Sequence, residues 1–105
     1  MKKTRLPRTV QKFSTSYGKV WQGFKQLGEE CHRAGPLPDR VRRLVKVGIA
    51  AAAQSEGAVH SAVRTARAAG ISAAEIRHAI VLSITTIGFP RAMAALSWAN
   101  DDLGK

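Results

Sequence analysis

The stretch "RTARAAGISAAEI", residues 64 to 76, constrains the fold more than any other part of the chain. Gly70 stands where a helix ends on a left-handed residue, and Ser72 followed by Glu75 is the sequence form of a capping box. One helix must therefore stop and another start with almost no chain between them. A sequence that turns this tightly between helices is building a packed helical domain.

The remaining apolar residues keep the same period. Phe13, Tyr17, Val20, Trp21, Phe24, Leu27 and Cys31 recur at spacings of three and four, which predicts a first helix ending near "RAGPLP". Most of the aromatic residues lie on this stripe, so it is expected to supply the bulky part of the core. Asp39 is expected to cap a second helix carrying Val41, Leu44, Val45, Gly48, Ile49 and Ala52. A third has a narrow stripe of Val59, Ala62, Val63 and Ala66, which implies close packing. The fourth, opening at Ser72 and running through "IRHAIVLSITTIG", is apolar around most of its circumference, so burial on two sides and a subunit interface are expected. After a break at "GFP", Pro90 suits a first turn, and Ala92, Ala95, Leu96, Ala99 and Leu103 line a last helix. No strand-like alternation or repeat is present. The prediction is an all-α bundle of about five helices over residues 10–105, preceded by a basic arm over residues 1–9 with Lys2, Lys3, Arg5 and Arg8.

Composition narrows the function classes. The net charge of +10 makes a polyanion a candidate partner. A single cysteine, Cys31, excludes an internal disulfide and a cysteine-based zinc site, so a reducing compartment, the cytosol, is expected. Cys31 itself is expected to act as a small hydrophobe on the first helix. The basic start is followed by polar residues and does not read as an export signal. The apolar runs fall short of the roughly 20 residues needed to span a bilayer, so no membrane contact is expected.

The order of these helices from Asp39 to Trp98, with "AAGISAAEI" after the small-residue helix and the late "GFPRAMAA", resembles the carboxymuconolactone decarboxylase and alkyl hydroperoxidase D-like family. The resemblance implies an alkyl hydroperoxidase D-like helical subunit that assembles as a homo-trimer, homo-hexamer or related oligomer. Redox members of that family carry a glutamate, a C-x-x-C pair and a histidine four residues later. Aligned on Gly70, these positions fall on Arg43, on Ser55 and Ala58, and on Ala62. All four depart from the motif. Peroxide reduction needs a thiolate and a second, resolving thiol, so no thiol peroxidase activity is expected. The decarboxylase branch also lacks the C-x-x-C pair, which leaves lyase or isomerase-type chemistry open.

Several side chains are candidates for such chemistry. Glu56, His60, Arg64 and Arg67 share one ridge of the third helix. Two readings stand: a surface i, i+4 pair, or a catalytic pair in which Glu56 orients His60 as a general base while Arg64 holds an anionic substrate. His78 reads either as a buried, hydrogen-bonded structural residue or as a substrate contact at an interface, and Arg43 as an anion clamp or as packing. The three histidines lack the i, i+4 spacing of a helical zinc pair, so neither a metal nor a cofactor is expected. Arg40, Arg42, Arg43 and Lys46 form either a solvated face or a surface for nucleic acid. The leading expectation is an inter-subunit pocket for a small anionic molecule. The alternative is a basic oligomer that binds nucleic acid or an acidic protein.

Overall fold

The computed structural model describes residues 6–104, and every described element is helical. The chain divides into two compact units, one up to Leu37 and one from Pro38 on. The first holds α1 (Arg8–Ser16) and α2 (Gly18–Arg33), and the second holds α3 (Asp39–Ala52), α4 (Glu56–Ala68), α5 (Ala73–Val81), α6 (Ile84–Ile87) and α7 (Phe89–Leu103). Of the expected basic arm, Lys2, Lys3 and Arg5 lie outside the described residues, while Arg8 opens α1.

In the first unit the single expected helix is broken at Tyr17, whose φ of −126° and ψ of 54° leave the helical region just before Gly18. The apolar stripe of this helix does not form a core. Phe13, Tyr17, Val20, Phe24 and Leu27 are all exposed, Cys31 is exposed with them, and neither helix has a fully buried residue. The aromatic rings pair along the chain, with Phe13 on Tyr17 at 5.2 Å and Trp21 on Phe24 at 5.8 Å between centroids. Two short helices offer each other one narrow seam, which cannot cover a stripe this wide.

The core lies in the second unit and is aliphatic, with alanine and valine on α3, α4 and α7 and isoleucine at Ile71, Ile76 and Ile80. Val47, Ala50 and Ala51 of α3, Val59, Val63 and Ala66 of α4, Ile76 and Ile80 of α5, and Ala95 and Ala99 of α7 form one buried cluster with Ile71. Trp98 packs against this cluster from the side. Helices whose contact faces are alanine and valine approach closely, and the face they use is settled by fit. On α3 the buried residues are therefore not the stripe that periodicity singles out: Val41, Val45 and Ile49 point outward.

The helix ends show the local chemistry at work. Gly70 has φ of 89°, Ile71 N–H donates to Ala66 O at 3.1 Å and Gly70 N–H to Arg67 O at 2.9 Å, the two bonds of a Schellman motif. Both arms of the expected capping box are formed between Ser72 and Glu75. Asp39 does not cap α3. It is the first residue of the helix, and its carboxylate is taken by Arg43 at 2.8 Å and Arg42 at 3.4 Å, where two charged donors outcompete backbone N–H groups.

The link from α3 to α4 turns through Gln54, the one non-glycine residue with positive φ, at 56°, among those described. A left-handed residue with a Cβ costs about 1 kcal/mol. The Gln54 side chain offsets this by donating to Ala51 O and to Arg91 O, both at 2.9 Å, which ties the link to the start of α7. Gln54→Ala keeps the strain and loses both bonds, and is expected to destabilise the fold by about 1–2 kcal/mol in urea denaturation. Gln54→Gly relieves the strain and is expected to cost less than Gln54→Ala; equal costs would mean that the turn is not strained.

Candidate functional site

Two features of the second unit carry chemistry. The first is a groove of about 590 Å³ between the outward face of α3 and the segment from α5 through Thr86. Val41, Leu44, Val45 and Gly48 form one wall, and Ala79 and Leu82 belong to the other. His78, Ser83 and Thr86 are its polar points together with Glu75. Glu75 is already occupied by Ser72 and by an ion pair with Arg40. Those bonds, the Ser72 backbone N–H first and then its hydroxyl and Arg40, hold its carboxyl below the ordinary value of 4.5. Ser83 is buried and its hydroxyl donates to Ile80 O at 2.6 Å. His78 is exposed, which corrects the expectation of a buried structural histidine, and its apolar neighbours Val81 and Leu82 are exposed too.

The second feature joins α4 to α7. His60 is partly buried, and both ring nitrogens face carboxylates, Nδ1 with Asp102 Oδ2 at 2.6 Å and Nε2 with Glu56 Oε2 at 3.2 Å. The other Asp102 oxygen accepts from Arg64 Nε at 3.0 Å. Glu56, His60 and Arg64 thus do come together, but Arg64 is directed at a carboxylate of its own chain. A second acid, Asp101, brings a carboxylate oxygen within 4.8 Å of the Glu56 and His60 ligand atoms. The ridge anticipated from α4 spacing omitted Asp101 and Asp102, which lie some 40 residues downstream, with |i−j| of 42 between His60 and Asp102. Their signal in the sequence was two acids at the end of a helix, where the dipole disfavours negative charge.

The remaining predicted positions are dispersed. Arg43 is paired with Asp39, and Arg40 with Glu75, so much of the basic face on α3 is internally compensated. Arg67 donates to Ile71 O at 3.1 Å. Ser55 caps α4, its hydroxyl accepting from Ala58 N–H at 3.3 Å, and both Ser55 and Ala58 are exposed.

The environment of His60 fixes a direction of titration. The Asp102 hydrogen bond first, then the Glu56 bond and both charges, raise its pKa above 6.5 against an opposing effect of burial. A raised folded pKa means that His60 stabilises the fold fully below about pH 6.5 and that this contribution is lost as pH rises through the folded value. Glu75 has the opposite sign, and its contribution is lost as pH falls through its lowered value. In chelator-treated protein the His60 ring resonances are expected to titrate above pH 6.5, and closer to 6.5 in Asp102→Asn. Stability should decline across that titration in the wild type and not in His60→Gln; a midpoint below 6.5 would contradict the geometry.

Comparison with known proteins agrees with this architecture. The description "Carboxymuconolactone decarboxylase family" matches residues 19–101. A carboxymuconolactone decarboxylase family protein from Legionella pneumophila, solved in its apo form, superposes with a TM-score of 0.78 over 92% of this chain and 88% of that chain, at 19% identity. No curated protein matches. The helical order, the tight turn at Gly70 and a family match over most of the chain lead to one conclusion: the chain belongs to the carboxymuconolactone decarboxylase family.

Proposed function

We propose that this protein binds a small molecule with an apolar body and one acidic group in the groove between α3 and α5, at a contact between copies of the chain. The observation that carries this reading is the groove itself. Its walls are mostly aliphatic, and its titratable groups are Glu75, already engaged, and His78, which is exposed. Pockets for small ligands combine apolar walls with a few convergent polar groups, and His78, Ser83 and Thr86 are such a set. A protonated His78 would pair with an acidic group while the aliphatic walls take the rest of the molecule.

The outward residues explain why a second copy enters the proposal. Val41, Val45, Ile49, Val81 and Leu82 are between 39% and 64% exposed. Fully burying such a side chain contributes about 1.5–3 kcal/mol, so each half-exposed one forgoes about half of that. A second copy of the same chain would recover it and close the open side of the groove. Lyase or isomerase-type chemistry there would use His78 to exchange a proton with the ligand. His60 and Glu56 lie outside the groove of their own chain and could act on its contents only from a neighbouring copy.

Thiol peroxidase chemistry is not part of this reading. The only cysteine is Cys31 on α2, and Ser55, at the position of the first family cysteine, is occupied as a helix cap. A polyanion surface is the weaker reading, because Arg40, Arg42 and Arg43 each pair with a carboxylate of the chain.

Anilinonaphthalene sulfonate, an apolar body with an acidic group, is a suitable probe. A Cβ on Gly48 would meet no atom within 4 Å, so Gly48→Leu fills the groove without disturbing the helix. Saturable fluorescence is expected in the wild type, with at least about tenfold weaker binding in Gly48→Leu, equivalent to about 1.4 kcal/mol, and a smaller loss in His78→Ala. Binding unchanged by Gly48→Leu would remove the groove from the account.

A further inference from the structure

We propose that Glu56, His60 and Asp101 form a binding site for a divalent cation of the zinc type, with Asp102 as the residue that orients the histidine. The site is separate from the groove and does not depend on the function proposed for it.

A neutral imidazole ring has one N–H and one lone pair. At 2.6 Å, Nδ1 donates its proton to Asp102 Oδ2. The Nε2 lone pair then faces Glu56 Oε2 at 3.2 Å, which is repulsive unless something positive lies between them. That can be a second proton or a metal ion. Asp101 favours the ion: its carboxylate joins Glu56 and Nε2 or Nδ1 within 4.8 Å, and it makes no ion pair among the described residues. One proton on Nε2 satisfies Glu56 and leaves Asp101 uncompensated.

The distribution of charge points the same way. The chain has seven carboxylates against seventeen lysines and arginines, and Glu56, Asp101 and Asp102 are three of those seven. Asp101 and Asp102 occupy the last turn of α7, a helix end with no basic residue in that turn. The negative end of the dipole disfavours acids there and favours a cation beside them. Arg64, the cation that reaches the cluster, is spent on the far oxygen of Asp102. A carboxylate on one ring nitrogen, with the other nitrogen facing Glu56 and the Asp101 carboxylate close by, resembles how protein sites present histidine to a metal.

One imidazole and two carboxylates suit Zn²⁺ or Co²⁺ better than Mg²⁺ or Ca²⁺, which prefer oxygen alone. Glu56 and Asp101 are exposed, and their carboxylates lie within 4.8 Å of each other and of a His60 ring nitrogen. Three protein ligands leave a fourth position for water.

The test uses full-length protein in a Cys31→Ser background, stripped with chelator and titrated with Co²⁺ and Zn²⁺. Visible Co²⁺ bands saturating at one equivalent per chain are expected, with displacement by Zn²⁺. His60 ring resonances should respond while those of His32 and His78 do not. Affinity should fall at least about tenfold in Glu56→Gln and Asp101→Asn, exposed changes that leave the fold intact, and about 10- to 100-fold in Asp102→Asn. Absence of saturable binding overturns the proposal. So does binding unchanged by Glu56→Gln and Asp101→Asn, or binding that perturbs His32 or His78 instead of His60.

Discussion

The structure depends on the close approach of α3, α4 and α7 along faces of alanine and valine. Val47, Ala50 and Ala51 meet a cluster that includes Val59, Val63, Ala66, Ala95 and Ala99, all of them buried. Interiors are packed to crystal-like density, so a seam of small residues selects the faces that enter it. Val41, Val45 and Ile49 of α3 lie outside this seam and are exposed, and Val41 and Val45 line the groove.

The same constraint determined which parts of the fold could be read from the sequence. The helix ends at Gly70, Ser72 and Glu75 are legible because each residue acts within a few positions, whereas the expected cap at Asp39 is not formed and the break at Tyr17 has no counterpart in the apolar period. The side of a helix that faces inward was less legible. The stripe over residues 13–31 is expected to supply the bulky part of the core, yet Phe24 and Leu27 are exposed, as are Val41, Val45 and Ile49 of the periodic stripe on α3. Periodicity identifies an apolar face and is silent on whether the cover comes from the same chain. For α5 the width of its apolar surface did signal a second face, and Val81 and Leu82 lie on it uncovered.

The candidate sites divide along the same line. The pairing of Glu56 with His60 follows from i, i+4 geometry on one helix and was evident in the sequence. The carboxylates that give the pair its character, Asp101 and Asp102, arrive from α7 through tertiary packing. Of the two readings of this ridge, one has Arg64 hold an anionic substrate; in the structure its Nε donates to Asp102 Oδ1 at 3.0 Å. Ser55, which the family resemblance implies stands at a redox cysteine position, has a structural task in the structure, capping the N-terminus of α4.

The central proposal is that the apolar side chains exposed outside the core, Val41, Val45, Ile49, Val81 and Leu82, are covered by a second copy of the chain. Native mass spectrometry of the wild type and of Leu82→Glu tests it most directly, because Leu82 is 64% exposed and lies on the groove wall. The account expects a discrete homo-oligomer for the wild type and a helical monomer for Leu82→Glu. A wild-type chain that stays monomeric at tens of micromolar, or an oligomer indifferent to a charge at Leu82, would contradict it.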